Sequence, residues 1–182
     1  MALISTILTE IETVLSQVEE EKLQKLAGTL QKASRIFIIG EGRSGLMSKS
    51  FAMRLMHLGA TVYVVGETIT PAIAAGDLLV AVSGSGTTKS VVWTAEKTKA
   101  LGCQVIAVTT NPESAVAAAA TEIIHVPAAT KYRRENELKT IQPLGSLFDQ
   151  CVHIVFDAVC LEFSKLNDID NAEALKRHSN LE

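Results

Sequence analysis

Two glycine-bearing loops and one isolated carboxylate are the parts of this chain whose residue types and spacing could do chemistry. Gly40-Glu41-Gly42-Arg43-Ser44-Gly45 reads G-x-G-x-x-G between an apolar β-branched run and a helical stretch, with Glu67 standing 22 residues beyond Gly45. That pattern matches a dinucleotide fingerprint, in which glycines admit a tight turn and the acid meets a ribose. Ser83-Gly84-Ser85-Gly86-Thr87-Thr88 places four hydroxyls and two glycines in six residues ahead of another helical stretch. Neutral donors added to a helix N-terminus suit a single phosphate dianion. The competing account is that the hydroxyls cap the helix, which explains one of them well and four poorly. Thr88 rather than Gly precedes Lys89, so the loop is not a Walker A motif. Asp149 falls in the first turns of the last predicted helix, with His153 one turn on. It either favours the helix dipole or faces a cleft as a general base.

These residues need elements to hold them. Five short apolar runs, Ile36 to Ile39, Val62 to Val65, Leu78 to Val82, Val105 to Val108 and Ile123 to Val126, alternate with helical patterns at about Ser44 to Leu58, Thr88 to Leu101 and Pro112 to Ala118. A short helical link is expected near Thr70 to Ala75. Strict alternation predicts an α/β fold, a three-layer α/β/α sandwich on a five-stranded parallel sheet. Ligands of such sheets bind beyond the carboxyl ends of the strands, where both loops lie. Ahead of the sheet, Leu3 to Gln31 is amphipathic, as one helix or as two with a break near Glu19 to Glu21. Behind it come a charged loop, Thr130 to Gln142, a helix from about Leu144 to Lys165 and a polar tail. One domain is expected over 1–182, with a helical segment 1–31, a core 32–166 and a tail 167–182.

Composition narrows the classes. The 182 residues are 47% hydrophobic and 4% aromatic with net charge −3. This aliphatic, mildly acidic balance argues against disorder and against a basic or aromatic nucleic-acid surface. No run of about 18 apolar residues exists, and glutamates interrupt the amino terminus, so neither membrane span nor signal peptide is expected and the location is read as cytoplasmic. Cys103, Cys151 and Cys160 read as reduced core residues, and the spacing of cysteines and histidines fits no familiar metal site. His57, His125 and His153 read as structural.

Taken together, the S-G-S-G-T-T loop, the G-x-G-R-S-G loop and the leading amphipathic helix resemble the sugar isomerase (SIS) domain family, whose fold is flavodoxin-like. More narrowly, Gly42-Arg43-Ser44-Gly45, Gln142-Pro143-Leu144-Gly145-Ser146-Leu147-Phe148 and the terminal Arg177-His178-Ser179-Asn180-Leu181-Glu182 resemble the 6-phospho-3-hexuloisomerases of that family. The resemblance implies isomerisation of D-arabino-hex-3-ulose 6-phosphate to fructose 6-phosphate in the ribulose monophosphate pathway of formaldehyde fixation. It implies a functional link to hexulose-phosphate synthase, no metal or organic cofactor, and a homotetramer. Ser44 and the span Ser83, Gly84, Ser85, Gly86, Thr87 and Thr88 would bind substrate, chiefly its phosphate. The family's proton acceptor is a Glu after S-L-F, a place taken here by Asp149, one methylene shorter. His178 would be an acid or base in ring opening or proton shuttling, because related SIS isomerases take a histidine from a neighbouring subunit.

The chemistry can be argued independently. Moving a carbonyl from C3 to C2 needs one base to shuttle a proton and a donor to hold the enediolate oxygen. Arg43 could bind phosphate, steady the enediolate or pair with an acid. Lys139, Thr140 and Gln142 could donate to sugar oxygens or merely belong to a solvated loop. Another SIS isomerase, for arabinose 5-phosphate or a heptose phosphate, would keep the cradle and change the pocket. A non-catalytic sugar-phosphate sensor would bring a DNA-binding extension, which is not present in these residues. A dinucleotide oxidoreductase lacks room for a substrate domain, with 56 residues after the fifth apolar run.

Overall fold

The structure, a computed structural model, describes residues 2–181; Met1 and Glu182, at the ends of the leading segment and the tail motif, lie outside it. Five parallel strands, β1 (Ile36–Gly40), β2 (Val62–Val64), β3 (Leu78–Val82), β4 (Gln104–Thr109) and β5 (Glu122–His125), lie in the order β2-β1-β3-β4-β5. Register is continuous, with Phe37 opposite Tyr63 and Leu79, and Val80 opposite Ile106. Because strand side chains alternate, the apolar runs serve two cores at once. Ile36, Ile38, Leu78, Val80, Val82, Ile106, Val108 and Ile124 face one side. There they meet α1 (Leu3–Leu15), α2 (Glu20–Lys32), α3 (Gly42–His57) and α6 (Ser146–Leu166). Phe37, Ile39, Leu79, Ala81, Val105 and Ala107 face the other, against α4 (Lys89–Ala100) and α5 (Ala115–Ala119). Three layers result, as the alternation predicts.

The amphipathic lead is two helices, separated at 16–19, and Glu20 and Glu21 open α2 where its dipole favours acids. α6 is the central strut. It buries Leu147, Phe148, Cys151, Val152, Val155, Phe156, Val159, Cys160 and Phe163, and Phe156 stacks on Phe51 of α3. Fully burying a side chain of this size contributes about 1.5–3 kcal/mol, so this stripe fixes where the helix begins and what its first turn carries. Burial pushes the Cys151 and Cys160 thiols up to about 12, which leaves them protonated packing groups.

The structure corrects the expectation of a helix at Thr70 to Ala75, which is irregular chain. Pro71 has no N–H to donate, and the backbone around it is claimed by side chains instead. Arg35 donates to Ala72 O (3.1 Å) and pairs with Asp77 (2.6 Å), whose carboxylate accepts from Ala74 N (2.7 Å). The last helix starts at Ser146 rather than Leu144, because Leu144 is left-handed at φ 51°. The tail contains one short helix, α7 (Asn171–Leu175), capped by Asp170. No described helix is long and apolar enough to cross a membrane.

Candidate active site

Strand order reverses between β1 and β3, so the loops after these neighbours leave toward opposite faces and open a crevice between them. A cavity of about 400 Å³ lies there. The start of α3 supplies Glu41, Gly42, Arg43 and Ser44; the hydroxyl loop supplies Gly84, Ser85 and Thr88. Thr130 and Lys131 come from the loop beyond β5, and Leu144, Gly145, Phe148 and Asp149 from the entry to α6. Three helix N-termini therefore converge, and none receives a hydrogen bond from its own N-cap side chain at Glu41, Thr88 or Gly145. First-turn N–H groups lack partners within a helix, so this end of the molecule favours an anion.

The glycines of the first loop have a packing reason. A Cβ on Gly45 would stand 2.7 Å from Gly40 O, and one on Gly40 would stand 2.6 Å from Ser48 Oγ. Strand and helix touch here closely enough to bring Arg43 and Ser44 over the sheet end, which accounts for the dinucleotide-like spacing without a dinucleotide. Glu67, the residue that would hold a ribose, pairs with Lys49 on the surface.

The second loop is built as a rigid turn. Ser83 Oγ accepts from Gly86 N (3.1 Å) and lies 2.9 Å from Thr88 Oγ1, so Ser83 is the buried base of the turn. Gly86 sits at φ 68°, and a Cβ there would fall 2.1 Å from Ser114 Oγ. Thr110 Oγ1 and N both donate to Gly84 O. Ser85 Oγ accepts from Thr87 N and Oγ1. Of the six residues, Gly84, Ser85 and Thr88 face the cavity while Ser83, Gly86 and Thr87 shape the loop. Thr88 occupies the N-cap of α4, yet its hydroxyl turns to Ser83 instead of capping, which leaves the helix N–H groups available.

Across the crevice Asp149 is 4% exposed. Ser44 Oγ donates to its Oδ1 at 2.8 Å and Arg43 Nε lies 3.3 Å from its Oδ2. Burial pushes this carboxyl above its ordinary range, while the Ser44 hydrogen bond and the Arg43 charge pull the other way. The pair of opposed influences gives a carboxylate more basic than a surface aspartate, adjacent to a cation that can neutralise a developing oxyanion.

Other sequence candidates fall elsewhere. Gln142 is buried, and its Nε2 donates to Glu10 Oε2 (3.0 Å) rather than into the cavity. Thr140 likewise donates to Glu10 (2.6 Å), and Lys139 is exposed outside the lining. His178 stacks on His57, with ring centroids 5.2 Å apart, at the carboxyl end of α3. The cavity lies at the other end of that helix, about 24 Å away for 16 residues. Beside His178, Arg177 lines a larger polar cavity at the amino ends of β1 and β2, remote from the converging helix starts. Within one chain, then, His178 does not join Asp149. Thr130, Lys131 and Leu144 line the site without having been singled out from the sequence. Within the charged loop, Arg133 donates to the carbonyls of Thr130 and Gln142, and Arg134 pairs with Glu137. The usable signal was position, since Thr130 and Lys131 are among the first residues past β5. Among the described residues no group of three or more His, Cys, Asp or Glu could hold a metal ion.

Comparison with known proteins identifies relatives of this chain. The SIS domain family matches residues 29–154. The chain is 43% identical over 179 residues to the 3-hexulose-6-phosphate isomerase of Bacillus subtilis (strain 168), covering 98% of this chain and 97% of that one. It is 41% identical to the protein of that name from Mycobacterium gastri, over 98% of this chain and 89% of the relative. A crystal structure from Methanococcus jannaschii, for which a function of 3-hexulose-6-phosphate isomerase was inferred, superposes with a TM-score of 0.86 at 35% identity and 100% coverage of both chains. The chain belongs to the SIS domain family and, within it, to the 3-hexulose-6-phosphate isomerases.

Proposed function

We propose that this chain converts D-arabino-hex-3-ulose 6-phosphate to fructose 6-phosphate through a cis-enediolate. The observation that carries the reading is the buried Asp149 carboxylate, held by Ser44 and Arg43 across a cavity from the hydroxyl loop. The phosphate sits against Gly84, Ser85, Thr88 and the start of α4. Asp149 removes the C2 proton, and the charge passes to the oxygen on C3, where Arg43 is the nearest cation to the base. The O2 hydroxyl then passes its proton to the oxygen on C3 and the protonated Asp149 returns its proton to C3, leaving a carbonyl at C2, a hydroxyl at C3 and a regenerated carboxylate. C2 and C3 are neighbours, so one carboxylate serves both ends, and no oxidant, reductant or water is consumed.

Around this core we place the rest of the reading. The substrate comes from a hexulose-phosphate synthase in the ribulose monophosphate pathway, in the cytoplasm. The working form is a homotetramer in which His178 assists ring opening at a neighbouring subunit's cavity. The test is a coupled assay in which ribulose 5-phosphate, formaldehyde and the synthase supply substrate, EDTA is present, and fructose 6-phosphate is read through added isomerase and dehydrogenase. Product formation dependent on this chain is expected. Its absence, with the synthase step verified, would redirect the site to another ketose or aldose phosphate.

A further inference from the structure

The segment leading into α6 is strained and tied from outside the crevice. Leu144 holds φ 51° and Arg133 holds φ 48°, left-handed conformations that a β-carbon-bearing residue adopts only at a cost. Such turns persist only where their surroundings over-determine them. Leu144 is 69% exposed at the cavity wall, so its own packing does not hold it. The restraint comes two to four residues earlier. The Glu10 carboxylate on α1 accepts from Thr140 Oγ1 (2.6 Å), Ile141 N (2.8 Å) and Gln142 Nε2 (3.0 Å). Gln142 N donates to Thr140 Oγ1 (3.0 Å), and Arg133 grips the Gln142 carbonyl.

We infer that Glu10 is a positioning residue for the base: by holding 140–142 it fixes the left-handed turn at Leu144 and delivers the first turn of α6, with Asp149, to Ser44 and Arg43. The inference deepens the proposed function and rests on Asp149 being its base. Three residues separate Gln142 from the start of α6 at Ser146, and Asp149 N closes the first turn on Gly145 O (3.0 Å). Burial pushes Glu10 upward, but the bonds from Thr140, Gln142 and Ile141 outweigh it and keep the carboxyl below its ordinary range, so the clamp stays ionised at neutral pH. Glu10 makes no hydrogen bond to the hydroxyl loop. It should therefore govern turnover and leave the phosphate grip alone. Residue 10 also precedes the stretch 29–154 matched by the SIS domain, so the role belongs to the leading helix.

The test compares wild type with Glu10→Ala and Glu10→Gln for kcat, KM and competitive inhibition by inorganic phosphate, alongside hydrogen exchange of the amides from 141 to 149. For Glu10→Ala, kcat should fall about tenfold or more while the phosphate inhibition constant stays within about twofold. Glu10→Gln keeps one acceptor oxygen and should fall between, with both variants exchanging faster over 141 to 149. Adding Leu144→Asn to Glu10→Ala should recover part of kcat, because Asn accepts left-handed backbone more readily. An unchanged kcat in either folded variant overturns the inference; if Glu10→Ala does not fold, Glu10→Gln decides. Wild type inactive on the hexulose phosphate refutes the functional reading instead, and exchange protection that Glu10→Gln leaves unaltered then refutes the clamp by itself.

Discussion

Ser44→Ala isolates one hydrogen bond to Asp149, the proposed base. The Ser44 hydroxyl donates to Asp149 Oδ1 at 2.8 Å, and the acceptor is 4% exposed, so water has little room to replace it. A hydrogen bond to a charged group contributes about 1.5–3 kcal/mol, and one pKa unit is about 1.4 kcal/mol. The bond favours the ionised form, so its loss raises the Asp149 pKa further. A base works deprotonated, and turnover therefore declines as pH falls through its pKa. In Ser44→Ala the acid limb of the kcat/KM profile should move to higher pH. At a fixed pH on the limb, activity drops about 10- to 100-fold, while at alkaline pH much of it returns. The assay is initial rate against pH between about 4 and 9, at substrate well below KM, with unfolding followed in parallel. A limb that stays in place, or moves down, would refute Asp149 as the group that titrates.

Asp149→Asn should lower kcat about 10²- to 10⁴-fold, the usual contribution of general base catalysis, with inorganic phosphate binding retained in a competition assay. Asp149→Glu restores a carboxylate on a longer arm and should keep more activity than Asn in the same steady-state measurement. Lys131→Met should raise KM about tenfold with kcat nearly unchanged, because Lys131 is a cavity cation that forms no salt bridge among the described residues, while Arg43 is engaged with the base. Gly86→Ala adds a left-handed penalty to a collision with Ser114 and should destabilise by about 2–5 kcal/mol, read by thermal or urea unfolding.

Much of the architecture was legible because burial repeats in the strands. A parallel sheet covered on both faces writes unbroken runs such as Leu78 to Val82, and those runs fix the strands and the loops after them. The failed helix at Thr70 to Ala75 marks the limit, since Arg35, 37 residues before Ala72, decides its course together with Asp77 just beyond the segment. Asp149 was readable as a candidate from its place at a helix start, but its partners were not, for Ser44 lies 105 residues away. Gln142 shows the reverse error. Its amide looked free to meet a sugar, and a carboxylate 132 residues earlier takes it. Side-chain donors advertise capacity, while the partner is chosen by tertiary packing.

The crevice between β1 and β3 divides labour across the sheet. The hydroxyl loop leads into α4 on one face, whereas Asp149 and its two partners rest on α6 and α3 on the other. Inheritance can act on these sides separately. On the proposed function, substitutions at the α3 and α6 starts would re-aim the proton transfer toward a different carbon or sugar, while the hydroxyl loop would grip the phosphate without rebuilding.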